Sequence, residues 1–442
     1  MSDHPVVIVG AGYAGLVAAT RLREQGLPVV IFEASGSATG LAATFTDMDG
    51  FKYDFGTHLI TNRLAETLGV TDQCRDVEYF GESIVLGGKT YSYPFGLATV
   101  PRYTLSALKS RLVEASGVRP GGHKDAAKWA EATVGPEMAH DVAIPLMEGL
   151  AGARAEELSP DIGNKLPGVL HTLYLRAMGR MNKKAVAIGY CQDLPETPKV
   201  WHAYPEGGIA AICKSLVDRL DCDIRLNTPV KKIVIEDGRA IGVETADGVQ
   251  PASAVISTAP VNILPRLAPD ADVLKPLLDF RYSNVVFVNL FLKGRNLMPD
   301  VAVWFPEEKY DFFRVQEPPI SLPWTAPEGK TYFSVDIGAE AGSELWNMED
   351  DALAQRMLEQ LSDVVPDITD RFLDARVLRT KIAYPVYRLA YEEVRREFNK
   401  STGVPGLYSV GRNGEFAHIL MEDVYHRTRK RMETVIEDLK AA

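Results

Sequence analysis

The chain has 442 residues, 46% of them hydrophobic, and a formal net charge of −11 at pH 7. This length exceeds what one hydrophobic core usually organises, so we expect at least two domains. An acidic chain does not offer the clustered Lys and Arg that bind nucleic acid or an anionic membrane, which excludes both from the expected partners.

The four cysteines predict neither disulfides nor a metal site. Cys74, Cys191, Cys213 and Cys222 are scattered, without C-x-x-C spacing and without histidines at metal-ligand spacing. We therefore expect a reduced, cytoplasmic protein without structural zinc. The longest apolar runs, such as residues 285–292, have the length of a strand, so no membrane insertion is expected.

The first glycine-rich turn predicts a nucleotide site. Residues 6–9 form an apolar, β-branched run typical of a buried parallel strand, followed by GAGYAG and a helical pattern. Gly10 permits the tight turn, Gly12 lets the backbone approach a pyrophosphate, and Gly15 lets the helix pack on the strand. The phosphates then lie at the helix N-terminus. Two further residues of this turn belong to the expected site: Tyr13 and Ala14.

A second strand supports this interpretation. The segment PVVIFEAS ends in Glu33 and Ala34, about twenty residues beyond the turn, where a carboxylate can hold the ribose hydroxyls. The alternative is that Glu33 is a solvated carboxylate at a strand end. FAD and NAD share this arrangement, so the turn does not choose between them.

The next segment, residues 33–61, adds a second glycine site and the motif YDFGTH. With these motifs the sequence resembles the FAD-dependent superfamily of amine oxidases, protoporphyrinogen oxidases, phytoene desaturases and UDP-galactopyranose mutases. The resemblance implies FAD as the cofactor. It also implies an α/β fold, with a Rossmann-like FAD-binding domain of the glutathione reductase type, a mixed β-sheet substrate domain and a helical insertion.

The resemblance assigns cofactor contacts in this segment, with two departures from the family pattern. Thr39 precedes Gly40 where relatives usually carry Gly-Gly, and Ala43 stands where many carry arginine. The implied contacts at the second glycine site are Gly40, Leu41 and Ala42. Relatives place the matches of Gly56, Thr57 and His58 beside the isoalloxazine ring. His58 is either a proton carrier or a backbone contact whose side chain caps the turn.

The middle of the chain divides into three patterns. Residues 91–198 are rich in helical sequence and resemble the family least, which fits a substrate-facing insertion. Gly207-Gly208 then opens an amphipathic helix, and EDGR and ADGV signal hairpins. The resemblance implies that the backbone of Val230 reaches the adenine end of FAD, the alternative being an ordinary strand residue. A β-rich region beginning near residue 283 predicts the second domain.

The FAD-binding domain is therefore expected to be discontinuous. Its predicted parts are residues 1–90, 199–265 and 401–442, with a helical insertion at 91–198 and a β-sheet substrate domain at 266–400.

A second glycine-punctuated turn lies near the C-terminus, in SVGRNGEFAHILMED. A short strand, a turn at residues 411–414 and the start of the last helix are expected there. The N-terminus of that helix can direct its free N–H groups at the pyrimidine edge of the flavin, where negative charge develops on reduction. The residues assigned to this contact are Gly411, Arg412, Leu420, Met421 and Glu422.

Four residues are candidates for catalysis: His58, Arg314, Tyr387 and His418. Arg314 and Tyr387 match positions that line the substrate side in relatives. The alternatives are a surface ion-pair residue for Arg314 and simple packing for Tyr387. His418 lies where the sequence departs from both the oxidase and the mutase patterns.

Two enzyme classes stay open, alongside a flavoprotein-like scaffold without turnover. The first is an oxidoreductase that removes hydride from a small polar substrate such as an amine or sugar derivative. The second is a redox-neutral enzyme similar to UDP-galactopyranose mutase. Gly411-Arg412 favours the mutase, whereas YPEGG, Phe416 and His418 favour the oxidoreductase. Asn284, at the position where many amine oxidases carry a lysine, weakens a simple amine-oxidase interpretation. A small-molecule substrate is the expected partner, and a homodimer is left open.

Overall fold

The computed structural model describes residues 4–47, 49–115, 123–163 and 169–441. The remaining residues of the predicted domains, 1–3, 48, 116–122, 164–168 and 442, lie outside the described part.

The strands and helices follow one another along the whole chain. The strands are β1 (Val6–Val9), β2 (Val29–Phe32), β3 (Thr44–Thr46), β4 (Lys52–Asp54), β5 (Ile60–Thr61), β6 (Cys74–Asp76), β7 (Glu82–Leu86), β8 (Lys89–Ser92), β9 (His202–Pro205), β10 (Asp223–Arg225), β11 (Lys232–Glu236), β12 (Arg239–Thr245), β13 (Gly248–Pro251), β14 (Ala254–Ser257), β15 (Tyr282–Lys293), β16 (Ala302–Trp304), β17 (Arg314–Gln316), β18 (Lys330–Gly338), β19 (Phe372–Pro385) and β20 (Leu407–Ser409). The α-helices are α1 (Tyr13–Glu24), α2 (Asn62–Thr67), α3 (Pro101–Ala115), α4 (Ala126–Val134), α5 (Pro136–Met138), α6 (Ile144–Ala151), α7 (Val169–Asn182), α8 (Ala210–Arg219), α9 (Leu264–Leu267), α10 (Glu344–Asn347), α11 (Asp350–Leu361), α12 (Ile368–Arg371), α13 (Glu392–Lys400), α14 (Gly411–Gly414) and α15 (Met421–Ala441).

The first sheet is parallel and has the order β10-β2-β1-β14-β20. Its central strands β1 and β14 are buried along their whole length, as expected for Val- and Ile-rich strands covered on both faces. Helices α1 and α15 pack together, and the Arg21–Glu433 and Arg429–Glu24 ion pairs link them. The sheet therefore joins the two ends of the chain with its middle, and the predicted α/β fold class is confirmed.

The second sheet is mixed and has the order β19-β15-β18-β17-β16-β7-β8. Strand β15 forms long antiparallel pairings with β18 on one side and with the edge strand β19 on the other, while β16 and β7 run parallel. Helix α11 covers one face with Leu353, Met357 and Leu361 in a shared hydrophobic core. The predicted domain boundary at residue 90 falls inside the β7–β8 hairpin, which belongs to this sheet because β7 pairs with β16.

The other sheets in the described part of the chain have two or three strands each. Strands β11, β12 and β13 form the two hairpins that the D-G turns predict, with Gly238 and Gly248 in left-handed conformations. Helices α3 to α7 occupy the predicted insertion.

Two features are absent from the described residues, a helix that could cross a membrane and a cluster of metal ligands. None of their helices has the length and apolar character that a membrane crossing requires. Nor do these residues include three or more His, Cys, Asp or Glu side chains grouped to hold a metal ion.

Candidate functional site

A cavity of about 690 Å³ lies where the carboxyl ends of the parallel strands meet the second sheet. Most of the residues assigned to the cofactor line it: Gly10, Gly12, Tyr13, Ala14, Glu33, Ala34, Gly40, Leu41, Ala42, Thr57, His58, Val230, Gly411, Arg412, Leu420 and Met421. Ligands of doubly wound folds bind at this edge of the sheet. The cavity joins residues that are more than 400 positions apart in the sequence.

Two glycines of the first turn, Gly10 and Gly15, occupy positions where a side chain does not fit. Gly10 has a φ of +104°, and a Cβ atom built on Gly15 lies 2.1 Å from the Gly10 carbonyl oxygen. Gly12 and Gly40 face each other, since a Cβ atom on Gly40 lies 3.1 Å from the Cα atom of Gly12. Gly15 thus packs α1 against the turn, while Gly12 and Gly40 leave open backbone at the cavity wall.

Glu33 holds the turn as well as lining the cavity. One carboxylate oxygen accepts a hydrogen bond from the Ala11 N–H at 2.8 Å, and the other accepts one from the Ser35 N–H at 2.8 Å. The carboxylate is therefore fixed at the end of β2, in the position from which a ribose contact is predicted.

The last helix begins at Met421, where the sequence predicts it. Leu420 and Met421 line the cavity, but Glu422 turns away and forms an ion pair with Arg63, with 2.6 Å between Oε1 and Nε. The Glu422 side chain is 2% exposed. Its carboxylate fastens α15 to α2 and does not line the cavity.

His58 lines the cavity together with its neighbour Thr57. Burial, and next the charge of Arg412, lower the pKa of His58 from its usual 6.5 to about 4, so the imidazole is neutral at pH 7. Within the described residues, its buried Nδ1 atom and the buried Oγ1 atom of neighbouring Thr57 have no hydrogen-bond partner. These two buried polar atoms are therefore available to form hydrogen bonds with a ligand.

Arg412 is a buried cation beside His58. Its guanidinium donates to the Ala383 carbonyl at 2.6 Å and lies over the Tyr384 ring, 4.9 Å from the centroid. Its Nε atom has no partner and, in the part of the chain that the structure describes, no carboxylate forms an ion pair with it. Burial lowers the pKa of Arg412. A buried charge without a counter-ion favours an anionic or strongly polar ligand.

Arg314 is largely buried and is not a surface residue. It forms a buried ion pair with Asp336, with 2.7 Å between Nε and Oδ2, and lies over the Trp304 ring. Burial raises the pKa of Asp336, and Arg314 opposes that shift. Arg314 does not line the large cavity, although its interaction with Tyr384 connects it to the cavity wall.

Tyr387, His418 and Gly56 also lie behind the cavity wall. The Tyr387 hydroxyl accepts a hydrogen bond from the His418 N–H at 2.6 Å. The His418 ring lies 5.0 Å from the ring of Tyr384, which does line the cavity. Gly56 packs against Phe287, and a Cβ atom on Gly56 lies 3.0 Å from that ring. Tyr387 and His418 therefore position the wall rather than form it.

Several lining residues were not found from the sequence: Tyr190, Thr258, Phe287, Thr380, Ile382, Ala383 and Tyr384. They come from the insertion, the residue that follows β14, and strands β15 and β19 at one edge of the second sheet. Of these residues, Tyr384 alone could have been found from the sequence, through its place in the AYPVYRLAY segment. The positions of the others depend on how the two sheets pack together.

The residues present fit FAD. Opposed glycines and the N-terminus of α1 suit a diphosphate, and unpartnered polar groups lie about His58 and Arg412. The sequence profile of the family described as flavin-containing amine oxidoreductase matches residues 13–427. The chain belongs to this family. Its cofactor is FAD, as the sequence predicts.

The chain is similar in sequence to two curated enzymes, a phytoene desaturase and a hydroxysqualene dehydroxylase. A 15-cis-phytoene desaturase of Synechococcus elongatus is 23% identical over 310 residues, which are 60% of this chain and 60% of the relative. A hydroxysqualene dehydroxylase of Sinorhizobium fredii is 34% identical over 109 residues, 24% of this chain and 25% of the relative. The chain thus aligns with 60% or less of the length of these relatives.

Solved structures share the fold along nearly the whole chain. A reduced UDP-galactopyranose mutase has a TM-score of 0.81 at 17% identity, covering 99% of this chain and 94% of that one. A protein described as a putative protoporphyrinogen oxidase from Exiguobacterium sp. 255-15 has a TM-score of 0.74 at 18% identity, covering 100% of both chains. A putrescine oxidase bound to putrescine has a TM-score of 0.67 at 16% identity, covering 98% and 99%.

Proposed function

We propose that the protein is an FAD-dependent oxidoreductase that removes hydride from a small polar substrate, such as an amine or a sugar derivative. The observation that carries this proposal is the pairing of a neutral imidazole, His58, with the unpaired guanidinium of Arg412 at one end of the cavity. Membership of the amine oxidoreductase family supports the reaction type.

The bound flavin supplies a two-electron acceptor for the hydride. The chain's own residues have three tasks. Arg412 orients a polar or anionic group of the substrate, because its guanidinium has donors to spare. His58 is neutral and can hold a polar group of the substrate through a hydrogen bond, since a pKa of about 4 makes its imidazole a weak base at pH 7. Tyr190 and Phe287 present aromatic surface that excludes water from the site.

A redox-neutral reaction on a sugar nucleotide is the second candidate. Arg412 favours it, because an unpaired buried cation also suits a diphosphate group. From the sequence, Phe416 is expected to favour an oxidoreductase over a mutase, but the position of this residue does not separate the two candidates. Its ring is buried against Phe280 and Tyr282 and lies outside the cavity lining.

Anaerobic flavin spectroscopy separates the two candidates. Purified protein loaded with FAD is mixed with panels of amines, sugar derivatives and sugar nucleotides, and the visible flavin absorbance is followed. Bleaching by an amine or sugar derivative before any reductant is added is the expected result. Sugar-nucleotide turnover only after reduction by dithionite overturns the proposal and supports the mutase. Protein that takes up no FAD contradicts both.

A further inference from the structure

Helix α3 of the insertion carries its leucines on the outside. Leu105, Leu108 and Leu112 are 60%, 54% and 71% exposed. They are spaced at i, i+3 and i+7, so they form one stripe along the helix. An amphipathic helix of a globular protein normally turns such a stripe to the core, so this helix is inverted relative to the usual pattern.

The inner face of α3 has one large buried side chain, Tyr103 near the start of the helix, and small side chains after it. Ser106 and Ala107 face the turn at Gly135, where a Cβ atom built on Gly135 lies 2.5 Å from the Ala107 nitrogen. The Ser106 hydroxyl accepts a hydrogen bond from the Glu137 N–H at 3.2 Å. This close backbone contact leaves no room for leucines on the inner face, so the helix cannot bury its stripe by rotating.

Helix α7 shows the same inversion. Leu173, Tyr174 and Met181 point outward, Met181 with 77% exposure, while Leu175 is buried. The two helices are connected, since Arg176 of α7 donates to the Tyr93 carbonyl at 3.3 Å and stacks on Phe95. The short helix Phe95–Thr99 then leads into α3. We call the six exposed side chains the outer apolar surface: Leu105, Leu108, Leu112, Leu173, Tyr174 and Met181.

The charges beside these side chains are basic, although the chain as a whole carries −11. Helix α3 contains three basic residues and one acidic residue, Glu114 near its end, and α7 contains two basic and no acidic residues. Arg102 pairs with Asp141, but Lys109, Arg111 and Arg180 form no ion pair within the described part of the chain. The acidic net charge of the whole chain therefore does not describe this region, which is basic. An expectation drawn from the net charge alone does not apply to it.

We propose that the outer apolar surface docks the protein on an anionic lipid bilayer, with its apolar side chains at the boundary between headgroups and acyl chains. Exposed apolar side chains flanked by Lys and Arg are the features by which a helix lies in a membrane interface without crossing it. A symmetric dimer through this face would bring the basic residues of two copies together, which charge repulsion disfavours. This proposal is independent of the reaction that the flavin performs.

Vesicle sedimentation tests the proposal. FAD-loaded protein is spun with vesicles of phosphatidylcholine alone or of phosphatidylcholine and phosphatidylglycerol in equal parts. Binding to the anionic vesicles, weakened by high salt, is the expected result. The triple variant Leu105→Ser, Leu108→Ser, Leu112→Ser should partition about tenfold more weakly or worse. The double variant Lys109→Glu, Arg111→Glu should also lose binding.

Matched variants elsewhere show whether the surface itself is responsible. Leu226, Leu278 and Leu373 are also exposed, so their replacement by serine should leave binding unchanged. Flavin content and melting temperature confirm that each variant is folded. Absence of wild-type binding, equal binding to both vesicle types, or unaltered binding of the triple variant overturns the proposal. So does a solution dimer, seen by light scattering, that the triple variant dissociates while vesicles bind neither form.

Discussion

Arg412 is the residue whose surroundings most clearly require a ligand. Its buried guanidinium has one backbone acceptor and an aromatic ring beneath it. Replacing it with alanine should weaken FAD binding or slow flavin reduction by roughly tenfold or more, because a charge-assisted contact is lost. Arg412→Lys should restore only part of this, since lysine keeps the charge without the planar fork. Equilibrium dialysis and stopped-flow reduction measure the two effects.

An exposed arginine provides the comparison for that substitution. Arg281 lies on the surface, and Arg281→Ala should leave both flavin content and reduction rate unchanged. If Arg412→Ala also changes neither, Arg412 has only a structural role and the polar substrate contact assigned to it is wrong.

His58 should make the folded protein more sensitive to acid. Its pKa is about 4 in the folded chain against an ordinary 6.5, so between these values the unfolded chain binds the extra proton. Stability from this group is therefore lost as pH falls, by about 2 kcal/mol between pH 7 and pH 5. Burial of Asp54 raises its pKa to about 7 and acts in the opposite direction, so the wild-type profile alone does not isolate His58.

The variant His58→Asn isolates that contribution. Its free energy of unfolding, measured by urea denaturation at both pH values, should fall less than that of the wild type. His140 has a largely exposed ring, and His140→Asn should follow the wild-type profile. Parallel profiles for His58→Asn and the wild type would contradict the assignment of a neutral, desolvated imidazole.

At the scale of elements, the contact between the first strand and helix depends on Gly15. A methyl group there would lie 2.1 Å from the Gly10 carbonyl oxygen, so Gly15→Ala must push α1 away from the turn. We expect a loss of about 1–3 kcal/mol in the free energy of unfolding and weaker FAD binding. Gly207→Ala places its methyl group at an ordinary 3.5 Å from the Ala211 Cβ atom and should change stability by about 0.5 kcal/mol or less. Equal effects of the two substitutions in urea denaturation would show that the α1 contact is not tight.

Elements that depend on local sequence were predictable, and side-chain directions that depend on packing were not. The strand, turn and helix at the front, the two D-G hairpins and the start of the last helix follow from short-range patterns. The β7–β8 hairpin pairs with β16, more than 200 residues away, and no local pattern reveals that partner. Glu422 lies at the predicted helix start, yet a distant arginine takes its carboxylate away from the cavity.

At the scale of the whole molecule, the cavity is formed by parts of the chain that only folding brings together. Its walls include the first turn, the end of β14, strands β15 and β19 of the second sheet and the start of the last helix. The glycine-rich turn and Glu33 at the end of the second strand predicted the nucleotide site, and the resemblance to a known family predicted FAD. The part of the cavity where we expect the substrate is lined by Tyr190, Phe287 and Tyr384. These residues come together only through packing between the sheet domains and the insertion.

Because the cavity connects both ends of the chain, FAD should stabilise the whole fold. A ligand that binds only the folded state adds about 2.7 kcal/mol at a concentration of one hundred times its Kd. Protein stripped of FAD should therefore melt at a lower temperature, and the melting temperature should rise steadily as FAD is added back. FMN lacks the adenylate half that we expect the first turn, Glu33 and Val230 to hold, so it should raise the melting temperature much less. Differential scanning calorimetry measures both titrations. An equal rise with FMN would show that the first turn does not bind the cofactor, and no rise with FAD would separate the cavity from cofactor binding altogether.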